Sequence, residues 1–114
     1  MTIAHETLPA GTLVTVCGES LDVGMIDAFK QQMQPLMSAG TTIILNLEHV
    51  LFVDSSALGA LLLCQRQLAR NHGRLLICNV TAQVRTQFDL VHIQRVMPVY
   101  ATVADALADA PGPP

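Results

Sequence analysis

An aspartate and two serines, Asp54-Ser55-Ser56, stand between two strongly apolar stretches. Residues 42–47 (Thr-Ile-Ile-Leu-Asn-Leu) precede them and have the pattern of a buried strand. Residues 57–63 (Ala-Leu-Gly-Ala-Leu-Leu-Leu) follow and read as the start of a packed helix. A hydroxyl at such a junction lies on the carboxyl edge of a sheet and at the positive end of a helix dipole. The first is where α/β proteins bind ligands, and the second favours a phosphate. Three chemistries are open to these residue types: attack by a nucleophilic serine, acceptance of a phosphoryl group, or helix capping. In capping, Asp and Ser oxygens take the free N–H groups of the first turn, worth about 1 kcal/mol.

A hydrolytic serine is disfavoured. The order Val53-Asp54-Ser55-Ser56-Ala57 is not the Gly-x-Ser-x-Gly turn of hydrolases. Of the four histidines, His5, His49, His72 and His92, only His49 is near in sequence, and nothing orients it. No Gly-x-x-x-x-Gly-Lys loop exists to cradle phosphates, and His5 is far from any cysteine pair, so no cofactor or metal is expected. Nothing specific supports nucleotide binding. The net charge is −3 and the six Lys and Arg residues form no run, which argues against direct nucleic-acid binding. An influence on transcription would pass through another protein. Gly59 stands out, because glycine inside a helix costs about 1 kcal/mol relative to alanine. It predicts close approach by a neighbouring strand or, second, by a partner.

The elements that hold these residues follow from periodicity. Residues 2–8 and 13–17 read as strands joined by the turn Pro9-Ala10-Gly11-Thr12, a hairpin. Gly18-Glu19-Ser20-Leu21-Asp22 is a polar loop ending in a helix cap. Met25, Phe29, Met33 and Leu36 recur at helical spacing, Gly40 ends that segment, and Pro35 should kink or split it. Residues 42–47 form the central strand, apolar on both faces and so covered on both sides. The next helix runs from about residue 56 to 71, with Leu58, Leu61, Leu62 and Leu68 inward and Gln65, Arg66 and Arg70 outward. Gly73 stops it. Residues 74–78 form another buried strand, and Thr81 caps a short helix carrying Val84, Phe88 and Leu90. Residues 97–100 are the last strand. Thr102-Val103-Ala104-Asp105 opens a final helix ending before Pro111, and residues 111–114 form a frayed tail.

With 114 residues, 51% apolar and 13% charged, the chain makes a single domain with its own core. Strands alternating with helices give a small α/β fold with a mixed, mostly parallel sheet of four to five strands and about four helices. Three loops then share one sheet edge: residues 18–22, 48–55 and 79–81. Cys17, Cys64 and Cys78 are odd in number and lie in apolar segments, which predicts free core thiols. No apolar run reaches the roughly 20 residues of a membrane span, and no basic-then-apolar leader opens the chain. A soluble, cytoplasmic protein without membrane insertion is the expectation.

Residues 47–63, centred on Asp54-Ser55-Ser56-Ala57-Leu58-Gly59, resemble the signature of STAS domains, named for sulphate transporters and anti-sigma factor antagonists. Gly73-Arg74-Leu75-Leu76-Ile77-Cys78-Asn79 is similar to the family's next strand, and residues 84–90 to its next helix. Residues 97–100 and 104–107 resemble its closing strand and helix. The likeness spans about residues 13 to 108. It departs at residues 18–22, which hold one residue more than the family's Gly-x-Leu-Asp, and at Ala57, where the family has glycine.

The resemblance implies a bacterial anti-sigma factor antagonist rather than an enzyme. In such proteins the serine after the aspartate is phosphorylated by a partner that is both serine kinase and anti-sigma factor. The unphosphorylated form binds that partner and frees the sigma factor, and a PP2C-type phosphatase resets the switch. Here the phosphoacceptor is Ser55. The implied partner-binding surface is Asp54, Ser55 and Ser56, with Glu19, Ser20 and Asp22 in the rim loop and Gln65 and Arg66 on the helix. The alternative is a constitutive STAS scaffold or accessory subunit of a lipid transporter, with Ser55 no more than a cap.

Overall fold

The computed structural model describes residues 2–109, so the expected tail at 111–114 lies outside the described residues. The first two apolar runs form the expected hairpin: β1 (Ile3–Leu8) returns antiparallel as β2 (Gly11–Val16), with Ile3 opposite Val16 and Leu8 opposite Gly11. A Cβ on Gly11 would collide with the carbonyl oxygen of Thr42, so glycine lets the neighbouring strand close in. Two short strands, β3 (Ser20–Leu21) and β5 (Phe52–Val53), pair in parallel beside the main sheet. β4 (Thr42–Asn46), β6 (Arg74–Cys78) and β7 (Val99–Tyr100) continue that sheet in parallel, in the order β1-β2-β4-β6-β7.

Side-chain alternation divides the core. Ile43, Leu45, Leu75 and Ile77 face a large cluster under three helices: α1 (Ile26–Met33), α2 (Ser55–Arg70) and α3 (Ala82–Val91). Ile44, Leu76 and Cys78 face the other way, onto Ala106 of α4 (Val103–Asp109). Every residue of β4 is buried, the reason its three central residues are apolar on both faces. α4 is tied down at both ends. Thr102 Oγ1 accepts from the Asp105 N–H at 3.0 Å, and the Tyr100 hydroxyl donates to the Asp109 carboxylate. Burial first, and then that hydrogen bond, raises the Tyr100 phenol above its ordinary pKa.

Pro35 acts as expected: α1 ends at Met33, and Gln34-Pro35-Leu36 continues as one 3-10 turn. Five local expectations are corrected. Asp22 does not cap α1; Met25 is the N-cap, without a side-chain bond, and Asp22 closes a turn on Gly24 instead. The helix after the serines starts at Ser55, with Asp54 as its N-cap. The left-handed residue ending it is His72, φ 64°, whereas Gly73 is needed because a Cβ there would strike the Thr41 carbonyl. Leu90 points outward, 76% exposed, since Val84 and Phe88 already fill the inner stripe of α3. Cys17 is exposed, one residue past the end of β2, while Cys64 and Cys78 are buried and free.

Candidate functional site

Burial of Val53 and Ala57 pins the chain on either side of the serine turn and leaves the turn itself at the surface. Asp54 fixes its shape. Its Oδ1 accepts from the Ala57 N–H at 2.9 Å, capping α2, and its Oδ2 accepts from the Val23 N–H at 2.9 Å, tying in the loop before α1. Both carboxylate oxygens are thus engaged in holding backbone. Ser55 and Ser56 occupy the first two helical positions, are exposed, and have no hydroxyl partner among the described residues. Capping therefore belongs to the aspartate, and the serine hydroxyls are left free at the positive end of a sixteen-residue helix.

The rim loop closes over this turn. The Glu19 carbonyl accepts from the N–H groups of Leu51 and Phe52, at 2.6 and 3.2 Å, and the Leu21 carbonyl accepts from that of Asp54, at 3.3 Å. Ser20 Oγ donates to Asp22 Oδ2 at 3.1 Å, and Gly24 N–H donates to Asp22 Oδ1 at 3.0 Å. A short strand pairing fixes the loop against the turn: Ser20 stands opposite Phe52, and Leu21 opposite Val53. The structure brings Glu19, Ser20 and Asp22 into the loop tied to Asp54. The third loop joins the same edge: Thr81 Oγ1 donates to the Val50 carbonyl at 2.7 Å, and Asn79 Nδ2 donates to Asn46 Oδ1 at 3.1 Å.

Gln65 and Arg66 lie farther along α2. Arg66 is exposed, whereas Gln65 is half-buried rather than outward. Arg66 lines a groove of about 670 Å³ that opens from Ser55. Its α2 wall is Leu58, Gly59 and Leu62; its other wall is Val91, Ile93 and Val96, with His92 and Arg95 beside them. Among the described residues no acidic side chain lines it. Gly59 is exposed, and a Cβ there would meet nothing within 4 Å, so the expected close approach of a neighbouring strand is overturned. The stripe of α2 that touches the core is small-residue rich: Ala57, Ala60 and Cys64, with Leu61 and Leu68. Leu58 and Leu62 are only half-buried.

His49 Nε2 lies 3.7 Å from Glu48 Oε1, both exposed. Burial pushes the Cys64 thiol up to about 11 against the pull of Lys30, and burial with the Glu48 charge pushes Cys78 up to about 11, so both stay protonated. Among the described residues no three His, Cys, Asp or Glu side chains stand together as a metal site. No helix of the described residues is long and apolar enough to cross a membrane.

Sequence reasoning missed Gln87. From α3 its Oε1 accepts from the Val53 N–H at 3.0 Å, and its Nε2 donates to the Val53 carbonyl. The available signal was a glutamine sharing the helical spacing of the apolar residues Val84, Phe88 and Val91.

The sequence profile of the STAS domain matches residues 4–106. An anti-sigma F factor antagonist of Paenibacillus polymyxa is 27% identical over 101 residues, 87% of this chain and 86% of that protein. The structure of an anti-sigma-factor antagonist (STAS) domain protein from Planctomyces limnophilus superposes with a TM-score of 0.86 at 19% identity, covering 96% of this chain and 97% of that one. The anti-sigma factor antagonist SpoIIAA in its unphosphorylated form superposes at 0.75 with 25% identity, covering 92% of each chain. The Bacillus protein SpoIIAA in its phosphorylated form gives 0.69 at 24%, covering 93% of this chain and 96% of that one. With nearly its whole length inside the profile, and the five-stranded sheet and four helices in place, the chain belongs to the STAS domain family.

Proposed function

We propose that this protein is a bacterial, cytoplasmic anti-sigma factor antagonist switched by phosphorylation of Ser55. The observation that carries the reading is the division of roles at the turn. Asp54 holds the backbone with both oxygens, while the Ser55 hydroxyl is exposed and unbonded among the described residues at the first position of α2. The likeness to proteins named as anti-sigma factor antagonists supports it. A serine kinase that is also the anti-sigma factor transfers the γ-phosphoryl group of ATP to Ser55 Oγ, releasing ADP, and the hydroxyl proton leaves to a base of the kinase. A PP2C-type phosphatase returns the group to water.

The added phosphate brings about −1.5 to −2 charges beside Asp54. The helix N-terminus stabilises negative charge, so the fold persists. A partner packed over the turn, the rim loop and the adjoining groove meets repulsion and a desolvated anion instead. A penalty of about 3 kcal/mol weakens binding roughly a hundredfold. The partner is expected to present apolar side chains with acidic neighbours, matching a groove walled by Leu58, Leu62, Val91 and Val96 and flanked by Arg66 and Arg95.

The test is intact-mass analysis with site mapping of protein from its own cells, beside Ser55→Ala, and titration of Ser55→Asp against the anti-sigma kinase. A phosphate on Ser55 that vanishes in the alanine variant, with Ser55→Asp bound at least tenfold more weakly, is the expected result. Absence of phosphate even with kinase and ATP supplied refutes the switch. It leaves the constitutive scaffold or lipid-transporter accessory role, in which the partner binds wild type and Ser55→Asp alike.

A further inference from the structure

β5 is a strand of two residues with a partner on one side. Along an extended chain, each residue presents its N–H and C=O to one edge and the next residue presents its own to the other. Phe52 and Asp54 donate towards the rim loop, to the carbonyls of Glu19 and Leu21. Val53, between them, presents both of its backbone groups to the other edge, where no strand of the described residues lies. There the side-chain amide of Gln87 takes both, accepting from the Val53 N–H at 3.0 Å and donating to its carbonyl. The amide supplies one donor and one acceptor in the geometry of a peptide group, so Gln87 stands in for a missing strand. Val53 is fully buried and lies two residues before Ser55, which gives the clamp a short lever on the hydroxyl.

We infer that Gln87 is a positioning residue for phosphorylation of Ser55, its two hydrogen bonds to Val53 holding the β5–α2 turn in the conformation that presents the acceptor hydroxyl. The inference rests on Ser55 being the phosphoacceptor. Leucine in place of Gln87 keeps the bulk and leaves both Val53 groups without partners. Local opening of the turn should then become about thirtyfold more populated, the equivalent of losing two ordinary hydrogen bonds. Glutamate is more discriminating. Ionised, it still accepts from the Val53 N–H but sets a negative oxygen against the Val53 carbonyl. Protonated, it donates there and restores both bonds.

The experiment compares wild type, Gln87→Leu and Gln87→Glu by amide hydrogen exchange, and by phosphorylation with the anti-sigma kinase at fixed ATP. Protection factors are corrected for intrinsic exchange at each pH. In the leucine variant the amides of Val53 and Ala57 should lose about thirtyfold protection while Leu45 and Ile77 keep theirs. The rate at saturating kinase should fall about tenfold or more, with little change in the concentration for half-maximal rate. In the glutamate variant, Val53 protection should be low at pH 7 and return as the pH falls below about 5, through the carboxyl range. Unchanged Val53 protection, or a loss shared equally by Leu45 and Ile77, overturns the clamp. A loosened turn phosphorylated at the wild-type rate overturns the positioning role. If wild type itself is not phosphorylated, the switch reading falls and the positioning role with it, although a pH-dependent Val53 amide would still establish the clamp as structural.

Discussion

Replacing Asp54 by alanine separates the aspartate's task from the serine's. The substitution removes two acceptors: Oδ1 from the Ala57 N–H and Oδ2 from the Val23 N–H, each at 2.9 Å. Loss of an N-cap costs about 1 kcal/mol. The second bond, to a loop whose Val23 is exposed, adds about 0.5–1 kcal/mol. The sum, about 2 kcal/mol, corresponds to a fall in Tm of about 8 °C for a domain of this size. The substitution Asp54→Asn divides the total. Asparagine is as good a cap as aspartate, so the Ala57 bond survives, but its amide nitrogen cannot accept from Val23. This variant should lose about 0.5–1 kcal/mol, the worth of the second bond alone. Ser55→Ala should lie within about 0.5 kcal/mol of wild type, because its hydroxyl holds nothing among the described residues. Urea denaturation of the four proteins, with calorimetric Tm values, reads all of this. Equal losses for alanine and asparagine, or a larger loss at Ser55 than at Asp54, would refute the assignment of capping to the aspartate.

Other consequences are as direct. Gly59→Ala should stabilise the protein by about 1 kcal/mol, since the site is open and helical, whereas Gly59→Leu should fill the groove and weaken the anti-sigma partner's binding at least tenfold. Calorimetry and titration with that partner check the pair. Thr81→Val should cost about 1–2 kcal/mol in urea unfolding, because the hydroxyl both accepts from the Val84 N–H and donates to the Val50 carbonyl. With a disulfide reagent at pH 8, Cys17 should react fast and Cys64 and Cys78 only as the chain opens. The two buried thiols favour the folded state while protonated. Unfolded thiols ionise near 9 and these near 11, so their contribution is whole below about pH 9 and is lost as the pH rises towards 11. Urea midpoints taken between pH 8 and 11 measure it.

The sheet was legible because its strands bury both faces or turn on glycine, and both leave local marks: residues 42–47 and 74–78 are largely apolar, and Gly11 and Gly73 sit where backbones touch. Pro35 and Thr81 announced a break and a cap through properties of single residues. The site was legible to the level of which loops meet. What escaped depends on partners distant in sequence or on competition between neighbours. Asp22 has the look of a helix cap, yet its carboxylate is taken by Ser20 and Gly24 before α1 begins. The leucines of α2 outnumber its buried stripe, so the run alone could not say that alanines face the core and Leu58 and Leu62 border a groove. Gly59 is anomalous in the sequence, but only the fold shows that no neighbour among the described residues needs it.

That last fact bears on how a switch can be built without a moving part. A glycine that no neighbour requires, in the second turn of a helix, weakens the isolated domain by about 1 kcal/mol. Beside it run half-buried leucines and, across the groove, Val91 and Val96, each about half exposed. Surface of this kind is stabilising only when covered. The hydroxyl at the mouth of the groove, by contrast, sits where the helix itself favours negative charge and where the aspartate maintains the turn. Under the proposed switch, modification there would leave the folded state nearly unchanged and place its electrostatic effect on whatever covers the groove. Partner affinity should therefore respond to Ser55→Asp far more strongly than Tm does. A variant whose affinity and Tm fell in proportion would mean that the charge acts by unsettling the fold, and the separation between holding residue and signalling residue would be lost.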